Sequence, residues 1–156
     1  RILEVMRDSR IGAFGVIALI LLIGAKYLAL DQMANPSIYY SLILMAVMGR
    51  NSMVLVCYRC PYARSGGGLA KSFAENLSAW EMTFSLASAF GIGVLFMGVK
   101  GVFVFLVTGL FSLGYRLFFL NKLGGVTGDI LGAANELTEL LCLLILIILE
   151  PLSAGL

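Results

Sequence analysis

Asp129, Glu136 and Glu139 stand at offsets of seven and three in a stretch, residues 124–139, that also holds Gly124, Gly125, Thr127 and Gly128. On a helix starting near Gly128 those offsets put all three carboxylates within roughly 80° of one another. Glycines at 124, 125 and 128 suit a tight turn with exposed amides, and Thr127 can cap the helix that follows. A helix N-terminus with free amides attracts anions, whereas clustered carboxylates attract divalent cations. A Mg²⁺ ion bridging phosphate satisfies both tendencies, with a few carboxylate oxygens completed by water and phosphate oxygens. Asp129, Glu136 and Glu139 are therefore the expected metal ligands. The plainer alternative is helix capping plus pairing of these acids to Arg50 or Arg116 inside a membrane.

Three other groups of residues could take part. In Arg7-Asp8-Ser9-Arg10, Asp8 and Ser9 either cap the helix that follows or hold a metal or hydroxyl, with the arginines meeting phosphate. Arg50 interrupts an apolar run, where a charge faces the bundle interior or a water-filled cavity. It either pairs with a motif carboxylate or reaches a phosphate. Tyr62 and Arg64 precede Gly66-Gly67-Gly68 and could stack on and hydrogen-bond a nucleotide, although the spacing matches no P-loop. Cys57 and Cys60 form a C-x-x-C pair without further ligands and are expected to be two unpaired thiols near the membrane interface, with Cys142 inside an apolar run.

The elements that must position these residues are membrane spans. The chain has 156 residues, 60% hydrophobic and 13% charged, with a mean hydropathy of +0.99. A soluble domain carries about a quarter charged residues. The expected fold is all-α, a polytopic transmembrane bundle of about five spans lying in a lipid bilayer. Expected spans are 11–30, 38–58, 77–99 and 102–120, then a shorter apolar segment, 137–152, lengthened N-terminally by the carboxylate-bearing turns. Lys26 is expected to snorkel from the end of the first span, and Lys100-Gly101 to turn the chain between the third and fourth. Residues 1–10 read as a short interfacial helix. Glu81 reads as an early-helix residue and Glu150 as interfacial.

A net charge of +2 and the absence of histidine give no support to a nucleic-acid partner and exclude imidazole chemistry. The basic residues are distributed unevenly. Arg1, Arg7 and Arg10, then Arg59, Arg64 and Lys71, then Arg116 and Lys122 fall on one side, against Lys26 and Lys100 on the other. The positive-inside rule then places the N-terminus and all three polar, glycine-bearing segments in the cytoplasm. The chain opens without an initiator methionine, so a fragment or a processed form is expected.

In order along the chain, residues 6–15 (Met6-Arg7-Asp8-Ser9-Arg10 onwards), Arg50, Tyr62-Ala63-Arg64 with its glycines, and residues 124–133 with Glu136 and Glu139 resemble the cobalamin synthase family. These are the adenosylcobinamide-GDP ribazoletransferases, multi-pass inner-membrane enzymes of late cobalamin assembly. The family also carries N-terminal spans with an aspartate-rich segment that has no counterpart here, so the resemblance is to a C-terminal portion forming a single transmembrane domain. It implies Mg²⁺-dependent phosphoryl-group transfer, with adenosylcobinamide-GDP and α-ribazole (or its phosphate) as substrates and GMP released. It also implies roles: Asp129 and Glu136 in metal binding or nucleophile positioning with Asp8 in support, and Arg50 and Arg64, with Ser9, Arg10 and Thr127, on substrate. The backbone of Gly124, Gly125 and Gly128 would approach the diphosphate. A homo-oligomer and contact with other cobalamin-assembly enzymes stay open. The competing classes are a transporter or channel subunit and a non-catalytic membrane scaffold. Against transport stand carboxylates placed near one membrane face and the lack of an inverted repeat.

Overall fold

Five long helices make up the bundle in a computed structural model that describes residues 12–33, 37–63, 71, 73 and 76–149. They are α1 (Ala13–Asp31), α2 (Ser37–Cys57), α3 (Ala79–Met97), α4 (Val99–Leu123) and α5 (Gly128–Leu149). Each is long and apolar enough to cross a membrane, and the protein is a multi-pass membrane protein. In lipid each span must satisfy its own backbone, which a continuous helix does. The ends of α2 and α4 and the starts of α1, α3 and α5 alternate to one end of the bundle, hereafter the loop end.

Two boundaries differ from those expected. The third turn falls at Gly98, whose φ of 54° favours glycine, so Lys100 and Gly101 belong to the first turn of α4. More consequentially, α5 begins at Gly128, so the acidic motif is part of the fifth span rather than a prelude to it. By helix rise, Glu136 lies about 12 Å and Glu139 about 16 Å along α5 from its start.

α2 and α5 form the centre, each about half buried within the protein. Leu44 and Met48 of α2 pack with Cys142, Leu143 and Leu146 of α5, with Ala89 of α3 and Val104 of α4 closing the cluster. A second cluster at the loop end joins Val56, Cys57 and Cys60 to Val126, Ile130, Leu131 and Ala134. Hydroxyl groups bind the middle together: the Ser112 and Thr138 hydroxyls both donate to Ser52 Oγ, at 2.8 and 2.9 Å. The Ser85 hydroxyl donates to Asn51 Oδ1 at 2.9 Å. Such interhelical contacts replace the hydrophobic driving force that lipid removes.

α1 is different. It packs chiefly on α5, through Lys26, Ala29 and Leu30, while every residue from 12 to 21 is exposed. α3 starts with a capping box in which Ser78 N–H donates to Glu81 Oε2 at 2.8 Å. Glu81 is thus an early-helix residue, as its sequence position implies.

Candidate functional site

The loop end is stitched by backbone. Pro61 O accepts from Val126 N–H at 2.9 Å and Val126 O accepts from Ala63 N–H at 2.9 Å. The connection after α2 is thereby fixed to the turn that opens α5. Gly125 makes this approach feasible, because a Cβ there would lie 2.3 Å from Pro61 O and 3.1 Å from Ala63 N. Gly124 takes φ 71° and closes α4, its N–H donating to Leu120 O at 2.9 Å. Thr127 is fully buried and caps α5, with its Oγ1 accepting from Ile130 N–H at 3.4 Å and its carbonyl from Leu131 N–H at 3.1 Å. The capping role expected of Thr127 is met. Its buried hydroxyl and the close packing at Gly125 are committed to the fold.

Asp129 lies exposed in the first turn of α5, and Gly128 is exposed beside it. Behind them the second core cluster excludes water from the Cys60 thiol. Burial pushes that thiol above its ordinary pKa, while the Arg116 guanidinium beside it pulls the other way. Cys57, Cys60 and Cys142 are free and buried within the protein, and Cys57 and Cys60 are unpaired thiols at the end of the second span, as expected.

Glu136 and Glu139 do something other than what their spacing suggests. Lys26 Nζ sits 2.7 Å from Glu136 Oε2 and 2.6 Å from Glu139 Oε2. From the other side, Arg50 Nη1 lies 3.5 Å from Glu139 Oε1 and donates to Asn135 Oδ1. Asn135 Nδ2 in turn donates to Glu139 Oε1 at 2.8 Å and to Glu136 Oε1 at 3.3 Å. Gly49 admits this contact, because a Cβ there would meet Asn135 Oδ1 at 2.7 Å and Glu139 Cγ at 2.8 Å. Two bases and two acids thus form a neutral clasp joining α1, α2 and α5 in mid-span.

Two expectations change here. Lys26 does not snorkel; two carboxylates across the bundle hold it inward. The expected metal trio is not assembled, since Asp129 is separated from Glu136 by about 10 Å of helix rise. Among the described residues no group of three or more Asp, Glu, Cys or His could hold one metal ion. The ammonium of Lys26 stands where a cation would be sought, so Glu136 and Glu139 do not fit Mg²⁺ in this arrangement. Arg50 does pair with a motif carboxylate, which was one of its two expected fates. Asn135, central to the clasp, was missed, although its offset of four from Glu139 places both on one helix face. Asp8, Ser9, Arg10, Arg64 and Glu150 lie outside the described residues, as do the N-terminal interfacial helix and the triple glycine.

The model of a family described as cobalamin-5-phosphate synthase matches residues 1–147. An adenosylcobinamide-GDP ribazoletransferase of Syntrophobacter fumaroxidans is 39% identical over 154 residues, covering 92% of this chain and 58% of the relative. That of Clostridium novyi is 34% identical over 94% of the chain and 59% of the relative. One from Pseudomonas paraeruginosa is 38% identical over 89% and 56%. The chain therefore spans less than two thirds of the length of these relatives. No solved structure matches.

Proposed function

Because the chain belongs to the cobalamin-5-phosphate synthase family, we propose that it serves an adenosylcobinamide-GDP ribazoletransferase and builds part of that enzyme's membrane-embedded site. In the proposed reaction a hydroxyl oxygen of α-ribazole, or of its phosphate, bonds to the cobinamide-linked phosphorus of adenosylcobinamide-GDP. The phosphoanhydride bond to GMP breaks, the hydroxyl loses its proton, and GMP departs with the bond's electron pair. Such a transfer asks a protein mainly for positioning and charge neutralisation. The N-terminus and the loop end lie in the cytoplasm of a cell with this protein in its inner membrane, on the strength of the basic residues gathered there.

The observation that carries this reading is the stitched loop end. Two segments of the resemblance, Tyr62-Ala63 and residues 124–128, are hydrogen-bonded to each other, and Asp129 opens outward from that junction. Asp129 is the proposed metal-binding or nucleophile-positioning group. Mg²⁺ remains the proposed cofactor through the resemblance, with Asp129 one oxygen ligand and the others, Asp8 among them, from outside the described residues. When bound, the ion would neutralise phosphate charge. Arg64, Arg10 and Ser9 remain proposed substrate contacts. The clasp of Lys26, Arg50, Glu136 and Glu139 is assigned to holding α1 on α5.

The test is Asp129→Asn in family-length protein, with Mg²⁺-dependent GMP release as the readout. We expect a loss of at least about a hundredfold with unchanged melting, the scale of removing one electrostatic group from a transfer site. Turnover at the unmodified rate sinks the assignment. Ion flux in liposomes without GMP release would instead favour a transporter.

A further inference from the structure

Arg50 is a charged group left largely uncovered within a span. Its side chain is 67% exposed, about 10 Å of helix rise from the end of α2. Nη1 serves Asn135 and Glu139, and among the described residues Nε and Nη2 meet no acceptor. Hydrocarbon cannot solvate those donors, so a charge at this depth faces protein or a polar cavity.

The ground beside it has the shape of a helix seat. A groove of about 330 Å³ between α2 and α3 is lined by Val47, Arg50, Ser85, Ser88 and Ile92. A second hollow of about 470 Å³ shares Ser85 and Ser88 and continues to Val54 and Leu77. From Ile92 to Leu77 the trough runs about 22 Å along the helices, a transmembrane dimension rather than that of a small ligand. Its α2 wall carries Ala46, Val47, Arg50 and Val54, the last three at successive offsets of three and four. That is the ridge by which one helix packs on another.

The clasp behind Arg50 is already neutral, which argues against a free multivalent anion as the occupant. The relatives offer a different one. Roughly 110 residues of the Syntrophobacter fumaroxidans protein lie outside the match, enough for several spans of about 20 residues. We propose that the α2–α3 trough seats a further membrane-spanning helix, supplied by the part of family-length proteins outside this match, that presents a carboxylate or carbonyl acceptor to Arg50. The inference rests on family membership and the trough; it is independent of the reaction assigned above.

The experiment uses a family-length chimera in which this chain replaces the matching part of the Syntrophobacter fumaroxidans relative, with a protease site at the junction. A photo-crosslinking residue replaces Ala46. After irradiation in membranes and cleavage, the two parts should stay covalently joined. Arg50→Leu should cut the joined fraction about fivefold, the scale of one interhelical polar contact. Ser88→Phe, which fills the trough, should abolish it. Yields are normalised to protein recovered in the membrane, and a crosslinker at exposed Leu110 of α4 serves as a control. Crosslinks only to lipid, or only to a second copy of the protein, overturn the proposal. So does a joined fraction that neither substitution changes.

Discussion

Lys26→Met tests whether the mid-span charges are a clasp or a cation site. The methionine keeps the aliphatic stem and removes the ammonium that contacts Glu136 and Glu139 at 2.7 and 2.6 Å. Removing one partner of a buried ion pair costs about 3–5 kcal/mol, because the other charge is left without compensation. Lys26 and Glu139 are well enclosed, with side chains 14% and 10% exposed, whereas Glu136 is 46% exposed. The looser enclosure of Glu136 by the protein moves the expectation to the lower end, about 3 kcal/mol. The loss should appear as release of α1, which packs chiefly on α5. Ala29 faces the core and is nearly inaccessible, so the labelling rate of Ala29→Cys in detergent reports opening of α1 directly. Adding Lys26→Met should speed labelling about a hundredfold, 1.4 kcal/mol being a factor of ten. Adding Glu139→Gln should recover part of the difference, because a neutral amide still meets Arg50 and Asn135. A change under about threefold, or a triple variant that labels no more slowly than the double, refutes the reasoning.

Gly125→Ala places a Cβ against backbone atoms of Pro61 and Ala63, so the two loops must part and lose both hydrogen bonds. A drop of about 2–3 kcal/mol in thermal stability is expected. Gly124→Ala meets open space and a positive φ only, for about 1 kcal/mol; equal effects at the two glycines would count against the stitched junction. Cys60 should react slowly with a water-soluble maleimide at neutral pH and speed up only at higher pH than an ordinary thiol. Its pKa is raised by burial, and the thiolate is the reactive form. Arg116→Ala should move that profile further upward, and a fast, flat profile from pH 6 to 9 would contradict the burial of the loop end.

The five spans were legible because hydropathy is a local signal, and helices that must each satisfy their own backbone follow it closely. Thr127 as a cap and Glu81 in a first turn were legible for the same reason, since each depends on near neighbours, and Arg50 on a motif carboxylate was one of the two fates open to a charge inside a span. Lys26 was not legible. Its partners lie 110 and 113 residues away, and a lysine five residues from the end of an apolar run is equally well explained by snorkelling. The signal that could have found it is opposite charge at depth: Lys26 and Arg50, and Glu136 and Glu139, all fall inside spans. The reach of Gly49 to Asn135 and of Gly125 to Pro61 is a matter of helix approach, which no single-residue preference encodes.

The start of α5 at Gly128 also changes the argument over function class. A location near one membrane face was one of the two sequence-based reasons to set ion transport aside, beside the lack of an inverted repeat, and it holds for Asp129 alone. Glu136 and Glu139 lie about 12–16 Å along their span, close to the middle of a roughly 30 Å hydrocarbon core. What separates them from a transport site is their bonding. Lys26 contacts both carboxylates, and Asn135 and Arg50 occupy the remaining face of Glu139. A migrating cation would have to displace a tethered ammonium that is itself enclosed. The clasp also explains how a loop-end site gains rigidity: it holds α5 against α1 and α2 two to three turns below Asp129. The Pro61–Val126 junction fixes the helix at its top. Between those two ties α5 has little freedom to tilt, and Asp129 is presented from a rigid helix end rather than a loop, as the role proposed for it at a phosphate would require.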